Sequence, residues 1–569
     1  MEGYNTRIGK KLLELCMGAN YHNPMVVYRE YVQNACDALY AAVSEGILSP
    51  DEDKIITIEI DSANKEVCIK DRGTGVPNSL IGPILVDVGS SLKDGITSIG
   101  NYGIGRLVGA NWCDKIIFET SAPGESIKSV LTFDAKEARS IINSDSNDEF
   151  AEIMNKVTEC TSYSESKDDH YFRVTLVNAK PGLLDYDKAY SYLTETAPVS
   201  FQYDFEDTLL TKAYLKFPDY KSRMECEKTC VISISERDNE KEVLKPYTPK
   251  VEMSEKEQSR LTVPTFFELK DSDYGVLGWG WYSIIETVQQ MNNNPFKGIR
   301  LRKHNMAVGN ADMLATYFPK PVDANYFVGE LYISNNNIEP SGSRDGLRPS
   351  PEKDIFEGLI REKFKELNKI YNQLSKLASG PLKNLVDSHI TKERQAILLD
   401  GGSDGGDTNE FKDAKKAFVS AKAELKKKLD EIDKDSDKKN LADQIIQSAS
   451  KKAHDRISKE NASSKLKKPI EYIQLASVVD NVRKEKEEKP SDTETKQTEG
   501  DNVTQDNPVK ENSQPKEVKD TDVFKVLGKA EWGLMKIVYN VLDRDTKLDP
   551  ISRERIKRKL VSRLVKDDA

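Results

Sequence analysis

The chain reads as an α/β protein of several domains: an α+β sandwich, then a second α/β domain, then a charged helical C-terminal region. Three observations point there. A helix with a polar stripe is followed by short strand-like runs between glycine turns, a second set of such runs begins near Leu261, and beyond Pro351 apolar residues recur at helical spacing. At 569 residues the chain exceeds what one ordinary core organises, so several cores are expected.

The opening element is set by Asn23-Pro24, which reads as a helix cap with proline at the first helical position. In the helix that follows, Glu30, Asn34 and Asp37 fall on successive turns of one face. Polar chemistry stands where a packed helix face would be apolar. From Ile55 to Thr120 the runs Ile55–Ile60, Glu66–Lys70 and Lys115–Glu119 read as strands, and Phe172–Val177 continues the pattern. Helices packed on one face of a mixed sheet are the expected result, over residues 1–190.

The second strand-rich stretch includes Gly275–Tyr282, Gly298–Arg302 and Phe327–Ile333, giving an expected middle domain over 191–350. Its tryptophans lie in an apolar strand-like run and read as packing residues. Ile355, Phe356, Leu359, Phe364, Leu367, Ile370, Tyr371 and Leu374 then mark an amphipathic helical extension over 351–400. A glycine-rich break at 401–408 lacks the lysine and hydroxyl residue of a P-loop. Charged helical sequence follows at 409–484. Apart from proline, the only apolar side chains between Glu485 and Asp520 are three valines, so 485–520 is expected to be a disordered linker. Periodicity returns over 521–569, a helical module expected to need a partner surface, such as a dimer interface.

Composition narrows the function classes. A hydrophobic fraction of 37% with 31% charged residues suits soluble domains diluted by solvated helices, and no apolar run approaches a membrane span. The N-terminal run Lys10–Leu15 is broken by charge and lacks a signal-peptide core, so a cytoplasmic location is expected. Seven scattered cysteines read as reduced thiols. Five histidines leave little material for histidine-based metal chemistry, while magnesium on oxygen ligands stays open. A net charge of −10 argues against a chain that coats nucleic acid along its whole length.

Two glycine runs follow the polar helix. Asp71-Arg72-Gly73-Thr74-Gly75 puts a carboxylate beside a tight backbone that a ligand can approach closely. Gly100-Asn101-Tyr102-Gly103-Ile104-Gly105 precedes a helical segment whose free amides favour phosphate. Each run alone is compatible with an ordinary turn. Their order is more specific: Glu30-x-x-x-Asn34-x-x-Asp37, Asp71-x-Gly73-x-Gly75 and Gly100-x-x-Gly103-x-Gly105 resemble the three boxes of the Bergerat-fold ATPases, the GHKL superfamily.

The resemblance implies ATP and Mg2+ as ligands and ATP hydrolysis as the activity. It implies that Asp71 accepts a hydrogen bond from the adenine amino group and that Gly73 and Gly75 let the base pack close. Asn34 would ligate magnesium, Glu30 would orient or deprotonate the attacking water, and Asp37 would support the pocket. Gly100, Gly103 and Gly105 would form the phosphate loop. Lys93, in Ser90-Ser91-Leu92-Lys93, would touch phosphate, and Thr175 would complete the adenine-side network. The interval from Asp94 to Ile99 implies a short nucleotide lid.

Within the superfamily, Arg29 before Glu30 and the phrase from Asn23 to Leu39 look most like the ninety-kilodalton heat-shock chaperones. Ile338 to Asp345 resembles the middle-domain segment of that branch that ends in Ser-Arg-Glu, which would make Arg344 a catalytic arginine, although Asp345 replaces the glutamate. A surface salt bridge is the alternative role for Arg344. A histidine kinase fits less well, because no helical phospho-acceptor domain precedes the first box. The expected protein is a homodimeric clamp that closes on protein clients, with a MORC-like or MutL-like clamp on DNA as the alternative. Short-lid spacing favours DNA, while the Arg29-Glu30 phrase and the Arg344 segment favour a client protein.

Overall fold

The computed structural model describes residues 8–17, 22–87, 105–254, 257–292, 294–400 and 408–484. Strands β1 (Ile55–Asp61), β2 (Glu66–Asp71), β3 (Lys115–Ser121), β4 (Ile127–Asp134), β5 (Thr158–Ser164), β6 (Tyr171–Val177), β7 (Val231–Glu236) and β8 (Asn239–Val243) form one sheet in the order β5-β4-β3-β6-β2-β1-β7-β8. It is mixed, since β1 runs parallel to β7 while the other pairs are antiparallel. Alternation places Ile56, Ile58 and Ile60 of β1 and Val67 and Ile69 of β2 on a buried face, while Thr57 and Glu59 face solvent. Helices α1 (Lys11–Cys16), α2 (Val26–Ser44), α3 (Ala135–Asn143), α4 (Phe150–Val157) and α5 (Tyr186–Thr196) contribute to the core on that face. The expected sandwich of helices on a mixed sheet is therefore present.

The expected border at residue 190 does not separate the two sheets. Val231 to Ser235 pairs in parallel with Ile55 to Glu59, and Ile232 and Ile234 are fully buried in the first core. Parallel pairing needs a long connection, and here α5 and the short helices between Tyr203 and Cys226 lie between β6 and β7. A six-residue strand beyond the last motif carries no local signal of that return.

A ribbon of β9 (Lys250–Ser254) and β10 (Glu257–Arg260) leads to a second sheet. Its strands are β11 (Thr265–Asp271), β12 (Gly275–Ser283), β13 (Gly298–Lys303), β14 (Met306–Val308) and β15 (Val328–Ile333), ordered β11-β12-β15-β13-β14. Trp279 stacks on Tyr332 with centroids 4.5 Å apart, and Trp281 packs edge-on against Tyr247 at 5.2 Å, so both are packing residues.

The helix Pro351–Leu377 starts at Ser350, whose hydroxyl accepts from Lys353 N at 3.1 Å, with Pro351 in the first turn. It buries Phe356, Phe364, Leu367, Ile370, Tyr371 and Leu374 against the second sheet. The later helices Lys383–Asp400, Asn409–Ile432, Ser436–Ser463 and Leu475–Lys484 share that core through residues such as Leu385, Leu425, Leu441 and Leu475. The charged sequence is thus the solvated side of helices whose apolar sides are packed. The break at 401–407, the expected linker and the C-terminal module lie outside the described residues. Among the described residues all seven cysteines are free thiols, and no helix is long and apolar enough to cross a membrane.

Candidate active site

The expected cap is displaced: α2 begins at Val26 with Met25 at the N-cap position and no side-chain cap, so Asn23 and Pro24 form a turn ahead of the helix and not its first residues. Asn23 Oδ1 accepts from Met25 N at 3.0 Å and its carbonyl from Val26 N at 3.2 Å, closing a turn ahead of α2. Tyr28, Tyr31, Val32, Ala35, Cys36 and Leu39 fill the core, which leaves Glu30, Asn34 and Asp37 on the adjoining face.

Glu30 is only 7% exposed and is held from two sides. Arg29 donates to Glu30 Oε1 from Nη2 at 2.9 Å and from Nε at 3.3 Å. On the other side lies Gly105, where an added Cβ would sit 2.9 Å from Glu30 Oε2. The first and third boxes therefore meet at this carboxylate. Asn34, one turn further, is half-buried, and Asp37 pairs with Lys228 at 3.1 Å in a nearly enclosed contact.

Asp71 ends β2 with 3% exposure, and its Oδ1 accepts from Gly73 N at 2.8 Å. Gly73 lies flush on α2, since a Cβ there would be 2.6 Å from the carbonyl carbon of Ala38. Gly75 adopts φ +62°, and a Cβ would come within 1.9 Å of Ser121 O, so the turn requires glycine. The second box is thereby seated directly against the first.

From Gly105 the chain forms a short 3-10 segment, Gly105–Asn111. Tyr31 donates to Arg106 O at 2.8 Å, while Arg106 Nε donates to Leu85 O at 3.0 Å and Nη2 to Asp87 O. This arginine links the two sides of the 88–104 stretch. Lys93, Gly100 and Gly103 lie in that stretch, outside the described residues.

Thr175, expected to complete an adenine-side network, does not share the Asp71 face. It pairs with Cys68, whereas Asp71 pairs with Phe172, and the period of two puts Thr175 and Asp71 on opposite faces of the sheet. Thr120 shares the Asp71 face through its pairing with Phe172. Its Oγ1 accepts from Val76 N at 2.8 Å and donates to Tyr171 O at 2.9 Å, supporting the second box. Distinguishing the two threonines takes strand register, which the sequence does not display.

Arg344 arrives from the second domain. Its loop closes through Arg344 N to Ser341 O at 2.9 Å and Ser341 N to Gly346 O at 2.8 Å, with Arg344 in the left-handed region at φ 55°. An arginine there bears steric strain that a functional constraint would explain. The residue is 5% exposed, and Arg29 Nη2 also donates to the neighbouring Ser343 O at 3.0 Å. Burial, then the Arg29 charge, lowers Arg344 to about 10, against the opposing pull of Glu30 and Asp37. Arg344 is therefore an enclosed cation facing the polar helix, and the surface-salt-bridge alternative does not describe it.

Lys228 carries no sequence motif, yet it supplies the partner of Asp37 from 191 residues away. The cluster thus sets Glu30 and Asp37 among Arg29, Lys228 and Arg344. Among the described residues no group of three histidine, cysteine or acidic side chains would hold a metal by itself. A magnesium ion would rely on the Asn34 amide oxygen together with phosphate oxygens, a donor set suited to a hard cation.

The family model for histidine kinase-, DNA gyrase B-, and HSP90-like ATPases matches residues 22–165. The chaperone protein HtpG of Fusobacterium nucleatum is 32% identical over 132 residues, covering 20% of this chain and 22% of that one. HtpG of Rickettsia typhi is 27% identical over 166 residues, 26% of each chain, and HtpG of Shouchella clausii 27% over 122 residues, 19% and 20%. The matched parts span about a fifth to a quarter of these relatives. Residues 22–165 thus carry a GHKL-type ATPase domain, the kind shared by histidine kinases, gyrase B and HSP90, and this part of the chain is similar to HtpG chaperones.

Proposed function

We propose that the protein binds and hydrolyses ATP and couples turnover to its second domain, acting as an HtpG-like homodimeric chaperone on protein clients. The observation that carries this reading is the meeting at Glu30 of the first box, Gly105 of the third box and, through Arg29, the Arg344 loop. In the proposed site Asp71 accepts from the adenine amino group above the Gly73–Gly75 turn, and Thr120 braces that turn. Glu30 positions the attacking water and takes its proton. Arg344 offsets charge developing on the phosphoryl oxygens, a task suited to a planar guanidinium. Asn34 would hold a magnesium ion through its amide oxygen, and the ion would supply charge neutralisation beside the phosphates. Asp37, paired to Lys228, holds the helix in place.

The HtpG relatives support a client protein over DNA as the partner. The test is ATP turnover of the full chain with an unfolded protein, with long DNA and alone, accompanied by light scattering for the dimer. Suppressed client aggregation without DNA stimulation is expected; stimulation by DNA alone would reverse the assignment. Glu30→Ala should keep nucleotide affinity and lose turnover by ~100-fold or more. Arg344→Ala should slow turnover with affinity nearly unchanged.

A further inference from the structure

The guanidinium of Arg344 is fixed by the main chain of a neighbouring hairpin. It donates to Ala307 O at 3.3 Å and to Lys303 O at 3.4 Å, while Gly309 N donates to its carbonyl at 2.6 Å. Those groups belong to, or directly follow, the hairpin of β13 and β14. Its two-residue turn, His304-Asn305, has φ of 53° and 61°.

The same hairpin is seated in the ATPase domain. Met306 is fully buried within the first core, and Arg302 donates to Glu195 O at 3.1 Å and Ala197 O at 3.4 Å at the end of α5. Asn305 Nδ2 donates to Lys228 O at 2.9 Å and Thr229 Oγ1 at 3.4 Å. Lys228 is the residue whose ammonium pairs with Asp37, and Thr229 N donates to Tyr40 OH at 2.7 Å, so this contact leads straight onto α2. Glycine would satisfy the left-handed turn at 305 as well as asparagine does. The asparagine adds an amide that reaches the ATPase domain, and turn chemistry alone does not call for it.

We infer that the β13–β14 hairpin sets the register of Arg344 with Glu30, and that Asn305 is a positioning residue for turnover although it lies outside the site. This rests on the reading of Glu30 and Arg344 given above. If the amide bond to Lys228 O is lost, the tip keeps its anchors at Met306 and Arg302 but loses one restraint, and any shift it makes is carried to Arg344 by the carbonyls of Lys303 and Ala307.

The test is a kinetic cycle on the full-length protein. Asn305→Gly keeps the turn and removes the amide, so turnover should fall roughly 3- to 10-fold, the scale of one hydrogen bond, with KM for ATP and nucleotide affinity within about twofold of wild type. Asn305→Asp, which keeps the size and sets an oxygen against Lys228 O, should fall at least as far and serves as the second variant. In an Arg344→Ala background Asn305→Gly should cost nothing more, because the group it positions is gone. Wild-type turnover in Asn305→Gly, or an equal loss in both backgrounds, would overturn the inference while leaving the site reading intact. Wild-type turnover in Arg344→Ala would defeat both, and a fall in thermal stability with kcat unchanged would reduce Asn305 to a structural role.

Discussion

Gly105→Ala isolates the contact on which the proposed chemistry depends. The new Cβ would lie 2.9 Å from Glu30 Oε2, about half an ångström inside the 3.4 Å at which ordinary contact begins. The obstructed atom is the end of a flexible side chain, so the carboxylate yields and the backbone need not move. Replacing glycine where the backbone tolerates alanine stabilises by ~0.4–1 kcal/mol, so the melting temperature should hold or rise slightly. Turnover should respond differently: a misplacement of ~1 Å can cost ~100-fold, and half that distance suggests about tenfold. Nucleotide affinity by calorimetry should stay within about twofold. Unchanged turnover would refute Glu30 as the group that handles water. A loss of affinity with normal turnover of bound nucleotide would instead put the new methyl against phosphate.

Asp71→Asn should weaken ATP binding by ~1.5–3 kcal/mol, the scale of a lost charged acceptor, and unchanged calorimetric affinity would move base recognition elsewhere. Glu330, fully enclosed in the second domain, pairs with Lys245 at 2.7 Å and with Arg302. Burial opposes its charge, but the two cations prevail and hold its carboxyl at about 2, against 4.5 for an ordinary glutamate. Its folded value is depressed, so this stabilisation is present above pH ~4.5 and is lost as pH falls from there through ~2. Glu330→Gln should remove that acid-side slope and cost ~3–5 kcal/mol at pH 7 by leaving buried cations unpaired, readable in denaturant melts across pH. A fragment ending at residue 190 should aggregate or melt well below one ending near residue 245, since it lacks Ile232 and Ile234 and leaves β1 as an open edge. Equal melting temperatures would show that β7 and β8 contribute nothing to the first core.

What the sequence made legible follows the range of each signal. Glu30, Asn34 and Asp37 share a face through helical periodicity, and Gly73 and Gly75 announce a turn that only glycine fits, so both are visible within a dozen residues. The meeting of Gly105 with Glu30 is visible only through the order of the boxes, because nothing local joins positions 75 residues apart. Lys228 against Asp37 has neither periodicity nor motif; two oppositely charged residues far apart in the chain are too common to single out. Thr175 misled for a related reason. A threonine in a strand near the boxes looks right until β6 is set in register with β2, and one step of register decides which face a side chain serves. The return of β7 to the first sheet was hidden because a short apolar run does not name its neighbour.

The charges at the site also say why the ATPase motifs alone cannot describe it. Glu30 and Asp37 stand on α2, but of the three cations around them only Arg29 is local in sequence. Lys228 comes from the connection into β7, and Arg344 from the second domain, on a left-handed backbone that is strained for arginine. Removing Lys228 would leave Asp37 enclosed without its paired cation, and removing Arg344 would take away a positive charge that Glu30 and Asp37 both feel, which costs more than an exposed ion pair returns. The electrostatic environment of Glu30 is therefore a property of two domains held in register. A polyphosphate adds negative charge to that cluster, and Arg344 is the cation there that the second domain supplies. Any shift of the second domain relative to α2 must then change the field at Glu30, and under the proposed function turnover and domain position would be linked through the same few side chains.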